Sequence, residues 1–584
     1  MNNQQLKANE ALIVRLATGL VFGLAIAWLI KSFDALEGKA IPLWAQVLTS
    51  TLMLGAFILW AGAGAMKRLS LAIWGVVALG LIALIAWNRV AHANDGGYNP
   101  FFFNLSFLIY PFLFITHELV SSADQSGKPI APYGLYFDEA WKRGVQLALS
   151  VIFTALFWGI LWLGAVLLGY IGFSWFKDLL SNEYFSWSIS GLAIAASVNL
   201  GDVQTKLMHN FRALVLGVLS WLLPVITVIG LLFAVSLCFS GLEPLWKTKA
   251  ATASLLTACV ALVLLINAAY QQGDSERPVH IVLRWSARLA CGLLAIFAGL
   301  AAYSLYLRIA QYGLTPERVM ALVGVVIAVF YGLGYAVAAV LPKGRWLHLL
   351  EPVNITLAFV MAAICFAVLT PIADPYRLSA QSQAERVNSG AVTPEKFDWR
   401  VLRFETGTYG MDELKRLSKS GKTGAIRAAA IKAAALKDDN RYVQVSEAGL
   451  LEVRTPDLKQ MVVVFPKNAA LPADFMSQTF ASDEDLPDCA TAGIACMAAL
   501  IDLNHDKTDE LVLLDSQKLT IFVKQGKWRL LSTDYLTSDQ RADFKNGQIS
   551  VAPRTYDDLK IGQIKRLRVY DEKAKDAETN LLVN

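Results

Sequence analysis

Between residues 11 and 372 the chain is a succession of apolar runs joined by short basic connectors; from residue 373 onward charged residues and turn formers return. The break falls at Pro371-Ile-Ala-Asp-Pro375. About 20 mostly apolar residues make a helix long enough to cross a bilayer. Within lipid, only helices and closed barrels satisfy every backbone polar group. The pattern therefore predicts a polytopic α-helical membrane bundle over residues 1–372 and a C-terminal α+β extramembrane domain over 373–584. The composition agrees, with 55% hydrophobic and 17% charged residues even when the polar tail is averaged in. No basic tract interleaves with aromatics, which argues against nucleic acid as a partner. The lipid bilayer is the implied partner, and another envelope protein or a lipid is a further one.

Eleven runs qualify as spans: 11–30, 42–65, 69–88, 100–118, 145–172, 186–201, 211–240, 250–270, 284–307, 318–341 and 349–372. The fourth and sixth are the weakest. The fourth opens on Asn99-Pro-Phe-Phe-Phe-Asn104 and carries Pro111; the sixth is short and rich in Ser, Gly and Ala, so it must pack against protein rather than lipid. Lys7 and Arg15 precede the first run, but no small-x-small cleavage site follows before Lys31, which predicts an uncleaved helix. Arg15 is expected to snorkel to the headgroups. With the N-terminus in the cytoplasm, inner connectors receive thirteen basic residues and outer ones eight, the sense of the positive-inside rule. Eleven crossings then put the tail outside, in the periplasm of a bacterium with an inner membrane.

Cysteine usage bears on the same question. Cys238, Cys259, Cys291 and Cys365 fall in spans, where a thiol is a small hydrophobe. The tail holds only Cys489 and Cys496. An isolated close pair in an exported domain reads as a disulfide; the alternative is two unrelated buried thiols.

The tail reads as helices from Tyr409 and over 425–436, strands at 441–453 and 460–465, a short helix at 472–480, then strands at 497–503, 511–515, 519–524 and 528–532. Within it, Asp502, Asn504, Asp506, Thr508 and Glu510 alternate as oxygen ligands do around Ca2+. Lys507 stands where such loops have Gly. The alternative is a β-turn of the same shape held by Asx hydrogen bonds, without metal.

Polar groups at membrane depth are the default functional candidates. Here they are His117, Glu118, Asn199, Asp202, Glu351 and Asn354, each near a predicted helix end, where anchoring and capping are the plainer roles. Asp34 and Glu37 in the first external loop have the placing of the acidic residue of lipid-linked-sugar glycosyltransferases, whose outline is similar. Walker, GxSxG and HExxH motifs are absent, and no residue is assigned to catalysis.

The segments Gln311-Tyr-Gly-Leu-Thr-Pro-Glu-Arg318, Asp374-Pro-Tyr-Arg377-Leu-Ser-Ala-Gln-Ser-Gln383 with Arg386 and Gly390, Phe397-Asp-Trp-Arg-Val-Leu-Arg-Phe404 and Thr408-Tyr-Gly410 resemble a bacterial membrane family known as domain of unknown function 4153. The likeness spans the eleven runs and the start of the tail. It implies a multi-pass bacterial inner-membrane protein and transfers no activity. At the junction, Thr315 and Pro316 have the form of an N-cap and first helical residue. Arg377 and Arg386 either meet lipid headgroups or fix the tail to the bundle. The leading expectation is a non-enzymatic protein whose external domain binds a partner or ligand. Its rivals are a transporter or lipid-handling bundle, which requires a cavity reaching the polar residues, and the glycosyltransferase.

Overall fold

The computed structural model describes residues 3–34, 41–92, 105–203, 205–242, 250–272, 279–341, 346–436, 462–466, 469–478, 497–503, 506–514, 518–549, 559–561 and 565–567. The chain divides into two compact units, Met1–Ala435 and Leu436–Asn584. This division lies well beyond the break in composition at 372, because the helices after the break pack with the first unit.

In the first unit α1 (Asn3–Asp34), α2 (Leu43–Gly62), α3 (Arg68–Ala91) and α4 (Ile109–Ser126) are followed by the long α5 (Tyr133–Tyr170) and the short α6 (Trp175–Ser181). Then come α7 (Glu183–Val203), α8 (Thr205–Ser240), α9 (Ala251–Tyr270), α10 (Ile281–Tyr312), α11 (Pro316–Val340) and α12 (Leu350–Leu369). Among the described residues nine of these are long and apolar enough to cross a membrane. The chain is a membrane protein. Of the eleven expected spans, α4 and α7 fall outside the nine. The Asn-Pro-Phe-rich start of the fourth run lies outside the described residues; α4 begins at Ile109 and carries His117, Glu118 and Asp124.

α7 uses its small residues to approach another helix. A Cβ on Gly19 of α1 would lie 2.4 Å from the Gly191 carbonyl oxygen, and one on Gly191 would lie 2.3 Å from that of Gly19. Only glycine at both positions lets the backbones meet, the device by which small residues pack membrane helices. One apolar core lies among α8, α9, α10 and α11, with Leu223, Leu262, Leu294 and Tyr335 at its centre. A second joins α2, α3, α4 and α12 through Ile58, Ile82, Phe112 and Cys365.

Beyond the break the chain forms α13 (Pro375–Ser389), a π-helical turn (Val401–Glu405), α14 (Gly407–Ser420) and α15 (Gly424–Ala434). Asp374 caps α13, its Oδ1 accepting from the N–H groups of Tyr376 and Arg377 at 2.9 and 3.4 Å. Asn88 of α3 donates to Asp374 Oδ2 at 3.1 Å. Along α13, Gln383 Nε2 donates to the carbonyls of Tyr312 and Leu314, at 3.0 and 2.7 Å. Arg386 Nη2 donates to the carbonyl of Gln311 at 2.9 Å. Arg377 Nη2 donates to the carbonyl of Ile372 at 2.9 Å. α14 meets α3 at Gly407, whose φ of +60° and whose position, with a Cβ 2.2 Å from the His92 carbonyl oxygen, admit no side chain.

The second unit carries a five-stranded sheet in the order β1 (Val462–Phe465), β2 (Met497–Ile501), β3 (Glu510–Leu514), β4 (Lys518–Gln525), β5 (Lys527–Tyr535). β1 and β2 are parallel; the other neighbours are antiparallel. Alternation along β2 sends Ala498 and Leu500 to one face, under Phe475, and Ala499 and Ile501 to the other, under Phe544. Phe475 lies in α16 (Ala473–Ser477) and Phe544 in α17 (Ser538–Lys545). A short hairpin of β6 (Leu559–Ile561) and β7 (Lys565–Leu567) follows. The strand expected at 441–453 lies outside the described residues.

Candidate functional site

A cavity of about 440 Å³ lies between α2, α4, α5 and α7, within the range of ligand pockets. α5 contributes Arg143, Leu147, Val151, Ala155 and Trp158 to its wall. These positions recur every three or four residues, so one face of α5 lines it. At 1.5 Å per residue that face is about 22 Å long. Leu147 and Val151 are 46% and 62% exposed, so the cavity opens to the apolar outside of the bundle. Phe57, Leu113 and Ile194 line it from α2, α4 and α7. Apart from Arg143 and Gln146, the wall offers little but apolar surface and small hydroxyls.

Its polar end is Arg143, only 3% exposed. Arg143 Nε lies 3.6 Å from Glu118 Oε1 and Nη2 lies 3.7 Å from Glu139 Oε2. These are ion-pair distances beyond hydrogen-bond range. All three guanidinium nitrogens and both Glu118 oxygens lack a hydrogen-bond partner among the described residues. Leaving a buried donor unmet costs about 1–3 kcal/mol, more for a charged group.

Arg15, beside it, is held very differently. It is 1% exposed. Nε donates to the carbonyl of Trp60 at 3.0 Å and Nη1 to Asn199 Oδ1 at 3.0 Å. Nη2 donates to the carbonyl of Ala63 at 2.6 Å and also pairs with Asp202 Oδ2. Lys142 Nζ lies 3.3 Å from Asp202 Oδ1. The expectation that Arg15 snorkels outward is therefore corrected: the ends of α2 and α7 cover the start of α1 and supply its acceptors. Gln146, one turn past Lys142, donates to the carbonyl of Val198 at 2.5 Å.

A second cavity of about 230 Å³ lies across α4, with Phe114 in the walls of both. Glu118, Tyr133, Asn267 and Asn354 line it. Apart from Glu118, its polar side chains hydrogen-bond with one another. Asn354 Nδ2 donates to Asn267 Oδ1 at 2.7 Å, and Tyr335 donates to Asn354 Oδ1 at 2.6 Å.

The sequence-flagged residues thus separate. Glu118, Asn199 and Asp202 gather around Arg143 and Arg15. His117, fully buried, accepts from Trp74 Nε1 through Nδ1 at 3.1 Å. Glu351 accepts from the Tyr270 hydroxyl at 2.8 Å, and Asn354 belongs to the second cavity. Arg377 and Arg386 lie at the junction. In the 502–510 loop, Asp502 accepts from the N–H groups of Asp506 and Lys507 at 3.1 and 2.9 Å. Asp506 Oδ1 accepts from the Thr508 N–H at 2.7 Å, and Glu510 Oε2 from the Leu503 N–H at 2.7 Å. Lys507 adopts a φ of +71°. Asn504, Cys489, Cys496, Glu37 and the side chain of Asp34 lie outside what is described. Sequence reasoning counted Arg143 only as a basic connector residue; its one signal was position, at the start of a long apolar run.

No curated protein and no solved structure matches the chain. A family model described as Domain of unknown function (DUF4153) matches residues 47–405. The match opens inside α2, so α1 and Arg15 precede it, and it closes in the π-helical turn, so it takes in Arg143, Glu118 and α13. With more than half of its length matched, the chain belongs to the DUF4153 family.

Proposed function

We propose that this is a lipid-handling membrane protein whose helical bundle binds an amphiphile from the bilayer. The observation that carries this reading is the cavity along α5, apolar for most of its length, open to the lipid-facing side and ended by a buried arginine. A bundle acting only as an anchor for a ligand-binding tail gives that cavity no role. The reading is non-enzymatic, set in a bacterial inner membrane.

The same contacts bear on topology. Arg15 of α1 lies beside the ends of α2 and α7, through Ala63 and Asp202, and Arg143 of α5 lies beside Glu118, midway along α4. Gly19 and Gly23 of α1 meet Gly191 and Trp187 of α7 in turn, so α7 runs opposite to α1, which supports its crossing the membrane and, with α4, a count of eleven. Nine and eleven are both odd; with the N-terminus in the cytoplasm, either count sends the second unit to the periplasm. A periplasm-active reporter fused after Asn584 is then active, and cytoplasmic activity contradicts the orientation.

A lipid carrying a photoactivatable group in its acyl chain tests binding in the full chain. Label is expected on Phe57, Leu113 and Ala155, and Ala155→Trp, which fills the cavity, removes it. Label confined to outward residues such as Ile160 and Leu163 would reject the reading.

A further inference from the structure

Resting on that reading, we infer that the cavity selects an amphiphile bearing an anionic group, a phosphate or a carboxylate, which takes the Arg143 guanidinium from Glu118. Three observations converge. Arg143 stands at one end of an apolar face of α5 that continues through Leu147, Val151 and Ala155 to Trp158. Its nitrogens make no hydrogen bond among the described residues although it is buried. Its two acidic neighbours stay at 3.6 and 3.7 Å, near enough to balance its charge and too far to use its donors.

A guanidinium presents paired N–H donors that fit the two oxygens of a carboxylate or phosphate. Arg15, by contrast, has already given its donors to backbone and side-chain oxygens. Of these two arginines, Arg143 is the one that combines donors unused among the described residues with an open apolar path. Around the two arginines the charges balance, Arg15, Lys142 and Arg143 facing Glu118, Glu139 and Asp202. An entering anion therefore competes with an acid already present. Glu118 is that acid: it makes no hydrogen bond among the described residues, and it also lines the second cavity, where Tyr133, Asn267 and Asn354 offer a polar wall. A zwitterionic headgroup would instead use Glu118 as a partner, so removing that carboxylate separates the two cases by sign.

The test is native mass spectrometry of the full chain in detergent, titrated separately with phosphatidylglycerol, oleic acid and dioleoylglycerol. At least one of the two acids is expected to be retained roughly tenfold or more above the neutral lipid, as the loss of charge-assisted hydrogen bonds implies. Retention of phosphatidylglycerol alone assigns a phosphate group, and of oleic acid alone a carboxylate. Arg143→Gln is expected to abolish the preference while dioleoylglycerol is still held. Glu118→Gln, which keeps Arg143 in place, is expected to raise acid retention several-fold. Equal retention of all three probes, or weaker acid retention in Glu118→Gln, overturns the inference while leaving amphiphile binding intact. Failure of the native chain to retain any of the three overturns the proposed function as well.

Discussion

Arg15 and Arg143 are two buried arginines in one ionic layer, and the bundle treats them in opposite ways. Around Arg15 the ends of α2 and α7 close in, and the guanidinium meets two carbonyls, an amide and a carboxylate. Around Arg143 the walls stand back, the acids stop short of hydrogen bonding, and an apolar cavity begins. Breaking a hydrogen-bonded buried ion pair is costly because the remaining charge is stranded. A loosely paired one has less to lose and more to offer a ligand. The contrast separates a structural charge from an available one without reference to residue type.

Arg15→Met is the strongest way to break that contrast. It is expected to lower stability by about 3–5 kcal/mol, seen as a large fall in the thermal midpoint of the detergent-solubilised chain. Arg143→Gln is expected to cost less. Equal losses would remove the distinction. At the other end of α3 the junction resembles the Arg15 side, with Asn88, Gln383 and Arg386 each donating to an acceptor. Asp374→Ala there removes the cap of α13 and leaves buried Asn88 without that acceptor. A loss of about 1–2 kcal/mol is expected, measured by thermal unfolding; no change would mean that the junction is held by apolar packing alone. Arg386→Ala removes one bond to the Gln311 carbonyl and is expected to cost about 1 kcal/mol. A larger loss would point to packing by its aliphatic stem.

The smallest effect concerns the second unit. Lys507 occupies the left-handed region where glycine is at ease. Lys507→Gly is expected to stabilise the full chain slightly, by up to about 1 kcal/mol, measured by denaturant unfolding. If the loop binds calcium, as the alternation of Asp502, Asn504, Asp506, Thr508 and Glu510 suggested, added Ca2+ raises the midpoint further in the same variant. A midpoint indifferent to Ca2+ leaves the Asx hydrogen bonds of Asp502 and Asp506 as the whole explanation of the loop.

Much of the fold was legible because it rests on local signals. Apolar length marked the long helices, and Thr315-Pro316 marked a helix start that the structure forms, Thr315 accepting from the Arg318 N–H at 3.3 Å. Short runs set off by polar turns placed β2 to β5 to within a few residues. The unit division at 435 was not legible, because composition reports solvent exposure whereas docking of α13 and α14 depends on long-range contacts such as Asn88 with Asp374. The site was half legible. Glu118, Asn199 and Asp202 stood out as polar groups in apolar surroundings. Arg143 looked like an ordinary connector residue, since its burial depends on α4, which precedes it, and α7, which lies some forty residues further on. No local pattern encodes which of two nearby arginines receives acceptors and which receives a cavity.

The most direct test of an amphiphile site headed by Arg143 is a density map of the full chain in nanodiscs containing phosphatidylglycerol. Continuous density is expected to run from the Arg143 guanidinium along Leu147, Val151 and Ala155 toward Trp158, with its head within hydrogen-bond distance of the guanidinium. A cavity empty of chain density, with Arg143 hydrogen-bonded to Glu118 and Glu139, would contradict it.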